Sequence, residues 1–139
     1  MLPKFLALFW TVALFCWMGF FMMGSLPLLV LKHDTPLDAR FIRGLFNVYY
    51  IAAMVTAAAA ALSYSVAGQT AFALGMGCIA TLAFGTRRWI IPGMDALRST
   101  MNASDSGAIF QFRRLHIIGM LLNVSQLGAV VWSLTKLRL

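Results

Sequence analysis

Four polar side chains interrupt two otherwise apolar stretches of the sequence. In "FRRLHIIGMLLNVSQL", His116 and Asn123 are separated by two helical turns, so both fall within one narrow stripe of a helix. In "GLFNVYY", Asn47 and Tyr50 share a helix face in the same way. An imidazole, two amides and a phenol can bind a small polar molecule or hold a proton. The spacing predicts that these four residues form one polar cluster, and ligand binding is one hypothesis for its role.

The alternative role for the cluster is structural. Hydrogen bonds between membrane helices fix their packing and are worth only about 0.6–2 kcal/mol each. The cluster is therefore predicted either to bind a ligand or to hold helices together, and the sequence leaves both open.

The composition places these side chains in a membrane. Of 139 residues, 61% are hydrophobic and 11% are charged, and the mean hydropathy is +0.84. Soluble domains are roughly 45–50% apolar and about 25% charged. We therefore expect an integral membrane protein, because a soluble domain could not hide so much apolar surface.

Four apolar stretches are long enough to cross the bilayer, which takes about 20 helical residues. They cover approximately residues 5–31, 45–66, 70–91 and 115–134. Each must be helical, since lipid offers no partner for exposed backbone groups. The predicted fold is all-α: one domain over 1–139, forming a four-helix antiparallel transmembrane bundle.

The third helix is predicted to continue past its span as an amphipathic extension. Ile90, Met94, Leu97 and Met101 repeat at helical spacing, and Pro92 suits a bend between span and extension. We expect the extension to run along the membrane surface or into the cytoplasm. Small residues, among them Gly75 and Gly77, predict close packing of helices within the bundle.

The basic residues predict the orientation. The loops after the first and third spans share one side of the membrane, and that side holds Lys32, Arg40, Arg43, Arg87, Arg88, Arg98, Arg113 and Arg114. The opposite side holds Lys4, Lys136 and Arg138. By the positive-inside rule the first side is cytoplasmic, and both termini lie on the non-cytoplasmic side. The expected location is a bacterial inner membrane.

Two arginine pairs lie at neighbouring helix ends. Arg87 and Arg88 end the third span, and Arg113 and Arg114 precede the fourth. They are predicted either to anchor the helices at the interface or to form a pocket for an anionic lipid headgroup. The net charge is +7, and no basic patch has the pattern of a nucleic-acid site. We therefore expect the basic residues to contact anionic lipid headgroups.

Metal and cofactor hypotheses rest on few residues. His33 and His116 could ligate a haem iron, or a copper ion with methionine help. The methionines are scattered, and Cys16 and Cys78 lack the spacing of a metal or redox motif. Core packing is the preferred role for these residues, and no cofactor is assigned.

No catalytic constellation is recognisable, so an enzyme is disfavoured. The preferred function is a non-catalytic accessory or structural subunit that binds other membrane protein subunits. The alternatives are a small-molecule or metal handling membrane protein that uses the His/Asn/Tyr cluster, and a membrane b-type haem protein.

Three motifs carry a family resemblance: "GLFNVYY" at 44–50, "IPGMDALR" at 91–98 and "FRRLHIIGMLLNVSQL" at 112–127. The chain resembles small four-helix integral membrane proteins catalogued as a domain of unknown function, which are related to the transmembrane protein implicated in platinum-drug resistance. His116 and Asn123 match the leucine–histidine and asparagine of that pattern. The resemblance implies a four-helix membrane fold and a loose link to metal handling or resistance.

Overall fold

The computed structural model describes residues 1–31, 35–101 and 106–136. They form four long helices: α1 (Leu2–Val30), α2 (Pro36–Val66), α3 (Thr70–Thr100) and α4 (Ser106–Lys136). The prediction of an all-α, four-helix fold is confirmed. Three of the helices, α1, α2 and α4, are long and apolar enough to cross a membrane. The chain is therefore a helical membrane protein.

The helices form a closed ring in which α2 and α4 lie between α1 and α3. Each of α1 and α3 packs against both α2 and α4, and the most extensive interfaces are those of α2. Gly68, with φ +73°, closes the tight connection between α2 and α3, so these two helices are antiparallel. We call this end of the bundle the hairpin end. The opposite end, where α1 and α3 end and α2 and α4 begin, is the charged end.

Helix α2 begins well before its apolar span because its first turn is capped. The Thr35 hydroxyl accepts a hydrogen bond from the Asp38 backbone N–H, and the Asp38 carboxylate accepts one from the Thr35 N–H. This reciprocal pair satisfies two backbone donors that a helix start leaves open. Pro36 occupies the first turn, where its missing N–H costs nothing.

An aromatic group fills the core near the charged end. The Phe46 ring lies edge-on to Phe21, with centroids 4.7 Å apart, and Phe21 stacks on Tyr49 at 4.3 Å. Gly119 of α4 provides the space, because a Cβ there would overlap the Phe46 ring. A glycine opposite a phenylalanine thus lets α4 approach the core closely.

The amphipathic extension belongs to the bundle rather than to its surface. Helix α3 runs through Pro92 to Thr100, and Ile90, Met94 and Met101 are buried in the core. Arg43 of α2 donates to both carboxylate oxygens of Asp95, at 2.9 and 2.8 Å. These hydrogen bonds hold the pKa of the Asp95 carboxyl below its usual range. The pair ties the extension to α2 beyond the predicted span.

Candidate functional site

A stripe of polar side chains on helix α4 faces the interior of the bundle. His116, Asn123 and Gln126 are all buried, with exposed fractions of 2%, 1% and 7%. Gly119 and Met120 lie on the same stripe and are buried as well. Polar side chains at this depth are expensive in a membrane and mark candidate functional sites.

The imidazole of His116 is held by two neighbours. Its Nε2 is hydrogen-bonded to the Ser25 hydroxyl of α1 at 2.5 Å. The Phe46 ring of α2 lies edge-on to it, with centroids 5.4 Å apart. The ring is therefore fixed in orientation by three helices, and its only hydrogen-bond partner within the described chain is a hydroxyl.

Sequence reasoning missed Ser25. The buried stripe of α1 is Thr11, Leu14, Met18, Phe21 and Ser25, at helical spacing. A search of this stripe for polar members would have found both Thr11 and Ser25. Thr11 is also used, since its hydroxyl lies 3.1 Å from the Tyr64 hydroxyl near the hairpin end.

Tyr50 and Asn123 are buried without hydrogen-bond partners among the described residues. The unpartnered atoms are the Tyr50 hydroxyl and both amide atoms of Asn123. The neighbouring Tyr49 side chain lies close to Asn123, and its hydroxyl donates to Gln126 Oε1 at 3.4 Å. Buried polar atoms normally have partners, so these three have hydrogen-bonding capacity to spare.

Asn47 is hydrogen-bonded to an arginine of α3, not to the other three predicted site residues. Its Oδ1 accepts hydrogen bonds from Nε and Nη2 of Arg87, at 3.2 and 3.0 Å. The side chain thus joins α2 to α3 and does not hydrogen-bond to α4. His116, Tyr50 and Asn123 remain in the core, and we call these three with Ser25 the buried polar cluster.

The four arginines occupy four different environments. Arg87 is half-buried and held by Asn47, whereas Arg88 is exposed on the outer side of α3. Arg113 is half-buried, with its Nη2 atom inaccessible. Arg114 is exposed and lines a groove between α3 and α4. Arg87 and Arg88 together line a groove of about 250 Å³ on α3, whereas Arg114 lines a different groove.

Metal ligands are not gathered in the described part of the chain. No group of three or more His, Cys, Asp or Glu side chains lies together there. The proposed pairing of His33 with His116 concerns a residue outside the described ranges. Cys16 and Cys78 are free and exposed on α1 and α3.

The outer face of α3 carries small residues with open space beside them. Gly77, Thr81 and Gly85 repeat every four residues, and a Cβ added at Gly77 or Gly85 would meet no atom within 4 Å. Gly75 is equally open. Close packing at Gly75 and Gly77 was therefore wrongly predicted, because a glycine permits close approach but does not supply the neighbour.

The fold and the buried polar cluster define the chain as a small polytopic membrane protein. Comparison of the chain with family models, with curated proteins and with solved structures gives no match in any of the three.

Proposed function

We propose that this chain is a non-catalytic accessory subunit of a larger membrane complex, and that it binds a partner through the outer face of α3. We call this docking face the small-residue face and define it by Gly77, Thr81 and Gly85. The observation that carries the proposal is that an added Cβ would meet no atom at either end of this face, at Gly77 or at Gly85, about two helical turns apart.

Small residues repeated every four positions suit contact with another membrane helix. They let two backbones approach closely, which matters where lipid provides no hydrophobic driving force for association. Helix α3 is also the least apolar of the four helices. Its Thr81 hydroxyl, exposed on the outer side, donates to the Gly77 carbonyl at 2.9 Å. A partner helix would cover the helix that is least suited to face lipid.

Charge favours a different protein over a second copy of this chain. Arg88 continues the small-residue face one turn beyond Gly85 and is exposed. Two copies related by a two-fold axis along the membrane normal would bring their Arg88 side chains together at the same depth. Like charges in contact oppose association. We therefore propose a partner helix with an acidic or amide side chain facing Arg88.

Gly85→Leu is expected to reduce partner recovery at least ten-fold when the tagged protein is purified in a mild detergent. The added side chain would hold the partner backbone away from α3. The stability of the isolated bundle should change by less than about 0.5 kcal/mol, because the site is open in the monomer. Quantitative mass spectrometry of co-purified proteins measures the first effect.

The matched control is Gly128→Leu on α4, where an added Cβ also meets nothing. Thiol-directed photo-crosslinking adds a second readout, since Cys78 borders the small-residue face and Cys16 lies on α1. Crosslinks should depend on Cys78 and be lost in Gly85→Leu. Equal losses of partner in the two leucine variants would refute the proposed face.

Binding of a small polar molecule within the bundle is a second candidate function. It is favoured by the unpartnered Tyr50 hydroxyl and Asn123 amide, which lie in the same core as the His116 imidazole. Together they offer hydrogen-bond donors and acceptors to a small polar ligand. In this role Ser25 would orient the imidazole.

Asn123→Leu tests this second candidate. Removing an unpartnered buried amide for a side chain of similar size should raise the unfolding free energy of the ligand-free protein by about 1 kcal/mol. Thermal unfolding of wild type and variant in detergent measures this shift. The second candidate predicts the opposite result for protein that retains its bound molecule. There the variant should be less stable than wild type, and mass spectrometry should find the molecule only in the wild-type sample.

We further propose that the charged end faces the cytoplasm of a bacterial cell. The proposal rests on the basic residues gathered there, among them Arg43, Arg87 and Arg98. Labelling of single cysteines placed at either end, in right-side-out and inverted vesicles, determines the orientation.

A further inference from the structure

The seam between α3 and α4 is open on its outer side at two levels. Near the charged end, Trp89, Gly93 and Ala96 of α3 face Phe110, Arg114 and Ile118 of α4 across a groove of about 730 Å³. Toward the hairpin end, a second groove of about 340 Å³ follows the same seam. The first is the seam groove considered below.

The walls of the seam groove are mostly apolar, Gln111 and Arg114 are its polar residues, and its charge comes from Arg114 alone. Arg114 is exposed, and no carboxylate in the described ranges lies within ion-pair distance of it. Trp89, on the opposite wall, is of the type that collects at the membrane interface. An exposed cation beside mostly apolar walls matches the two chemical parts of an anionic lipid.

The length of the seam also fits one lipid chain. The two grooves lie on one stripe of α3, which includes Gly75, Ile79 and Leu82 in the second and Trp89 and Gly93 in the first. At about 1.5 Å per residue, the distance from Gly93 to Leu82 is roughly 17 Å. One leaflet of hydrocarbon is about 15 Å thick. A chain whose headgroup contacts Arg114 would thus reach the second groove.

We propose that the seam groove binds one anionic phospholipid, with its phosphate on Arg114 and an acyl chain along the α3–α4 seam. The residues that line the seam groove differ from those of the small-residue face. The second groove borders that face, because Cys78 and Leu82 line both. The sequence predicted that four arginines could bind an anionic headgroup. The proposed site uses one of them, because Arg114 alone of the four lines this groove. Arg88 lies outside it and supplies the matched control.

Trp89 is a built-in probe for the bound lipid. In a variant with Trp10, Trp17 and Trp132 replaced by Phe, only Trp89 fluoresces, since the chain has 4 tryptophans. The protein is reconstituted in phosphatidylcholine vesicles that contain either phosphatidylglycerol or phosphatidylcholine with brominated chains. Quenching by the anionic lipid should indicate a relative affinity about five-fold higher, the factor for one basic side chain at an anionic surface.

Three variants decide the assignment. Arg114→Gln should bring the relative affinity to about one, whereas Arg88→Gln should leave it unchanged. Ala96→Phe, at an exposed position that lines the groove, should weaken quenching by both lipids because the ring fills the space of the chain. Equal quenching by the two lipids in the parent protein, or equal effects of the two arginine variants, would overturn the proposal. Unchanged quenching in Ala96→Phe would exclude a chain in the groove.

Discussion

Gly119→Leu is expected to lower the unfolding free energy of the bundle by roughly 1–3 kcal/mol, the usual cost of overpacking a filled core. A Cβ at this position would overlap the Phe46 ring, and Ile90 Cδ1 lies 3.3 Å away. The ring cannot retreat easily, since Phe46 is fully buried and packs edge-on against Phe21 and His116. The substitution therefore forces α4 outward or displaces the ring that orients the imidazole.

Titration with SDS in mixed micelles measures this unfolding free energy. Gly128→Leu is the matched control, because it makes the same change on the same helix where no neighbour lies within 4 Å of the new Cβ. That variant should differ from wild type by less than about 0.5 kcal/mol. Two leucine variants of equal stability would mean that α4 does not approach α2 as described.

The architecture could be predicted from the sequence because it depends on long apolar runs. The runs in α1, α2 and α4 are long enough to cross the bilayer, and lipid forces them to be helical. The start of α2 could not be placed in the same way. The helix extends into a polar turn, where local capping by Thr35 and Asp38, not hydropathy, decides where it begins.

The interior of the site was only partly predictable for a geometric reason. Helical period places His116 and Asn123 on one stripe, but it does not say which neighbouring helix that stripe meets. The partner of His116 proved to be Ser25, whose contact depends on the rotation of α1. Asn47 is hydrogen-bonded to Arg87 instead, because a guanidinium at the α2–α3 interface offers several donors to its amide oxygen.

The two surfaces proposed for binding both lie on α3, and they make different demands on the chain. The small-residue face needs the absence of side chains at Gly77 and Gly85. The seam groove needs the charge of Arg114 and the space beside Ala96. Substitutions at one surface should leave the other intact, so partner loss and lipid selectivity can be tested separately.

Phe46→Ala is expected to be the most damaging truncation near the buried polar cluster. Its ring contacts Phe21, Tyr50 and His116, with centroid separations of 4.7, 5.9 and 5.4 Å. At about 24 cal/mol per Å³ of cavity, loss of a ring of about 100 Å³ costs roughly 2 kcal/mol from the cavity alone. In a bilayer this packing component dominates, because lipid is as apolar as the core.

Chemical modification of the His116 imidazole is a second, independent measurement of the effect of Phe46→Ala. In a His33→Gln background His116 is the sole histidine of the 2 in the chain, and its burial should protect it from diethylpyrocarbonate. Phe46→Ala should increase the modification rate at least ten-fold, because the ring that covers the imidazole is gone. The unfolding free energy and the modification rate are measured on the same samples.

A double variant distinguishes the specific contact from general loosening. In Phe46→Ala combined with Gly119→Leu, the new leucine can enter the space that the phenyl ring leaves. Contacting residues typically show coupling energies of about 0.5–3 kcal/mol. We therefore expect the double variant to be more stable than the sum of the two single costs predicts, and to protect His116 again. Strict additivity would show that Phe46 and Gly119 do not share this space, and the orientation of His116 would then require another explanation.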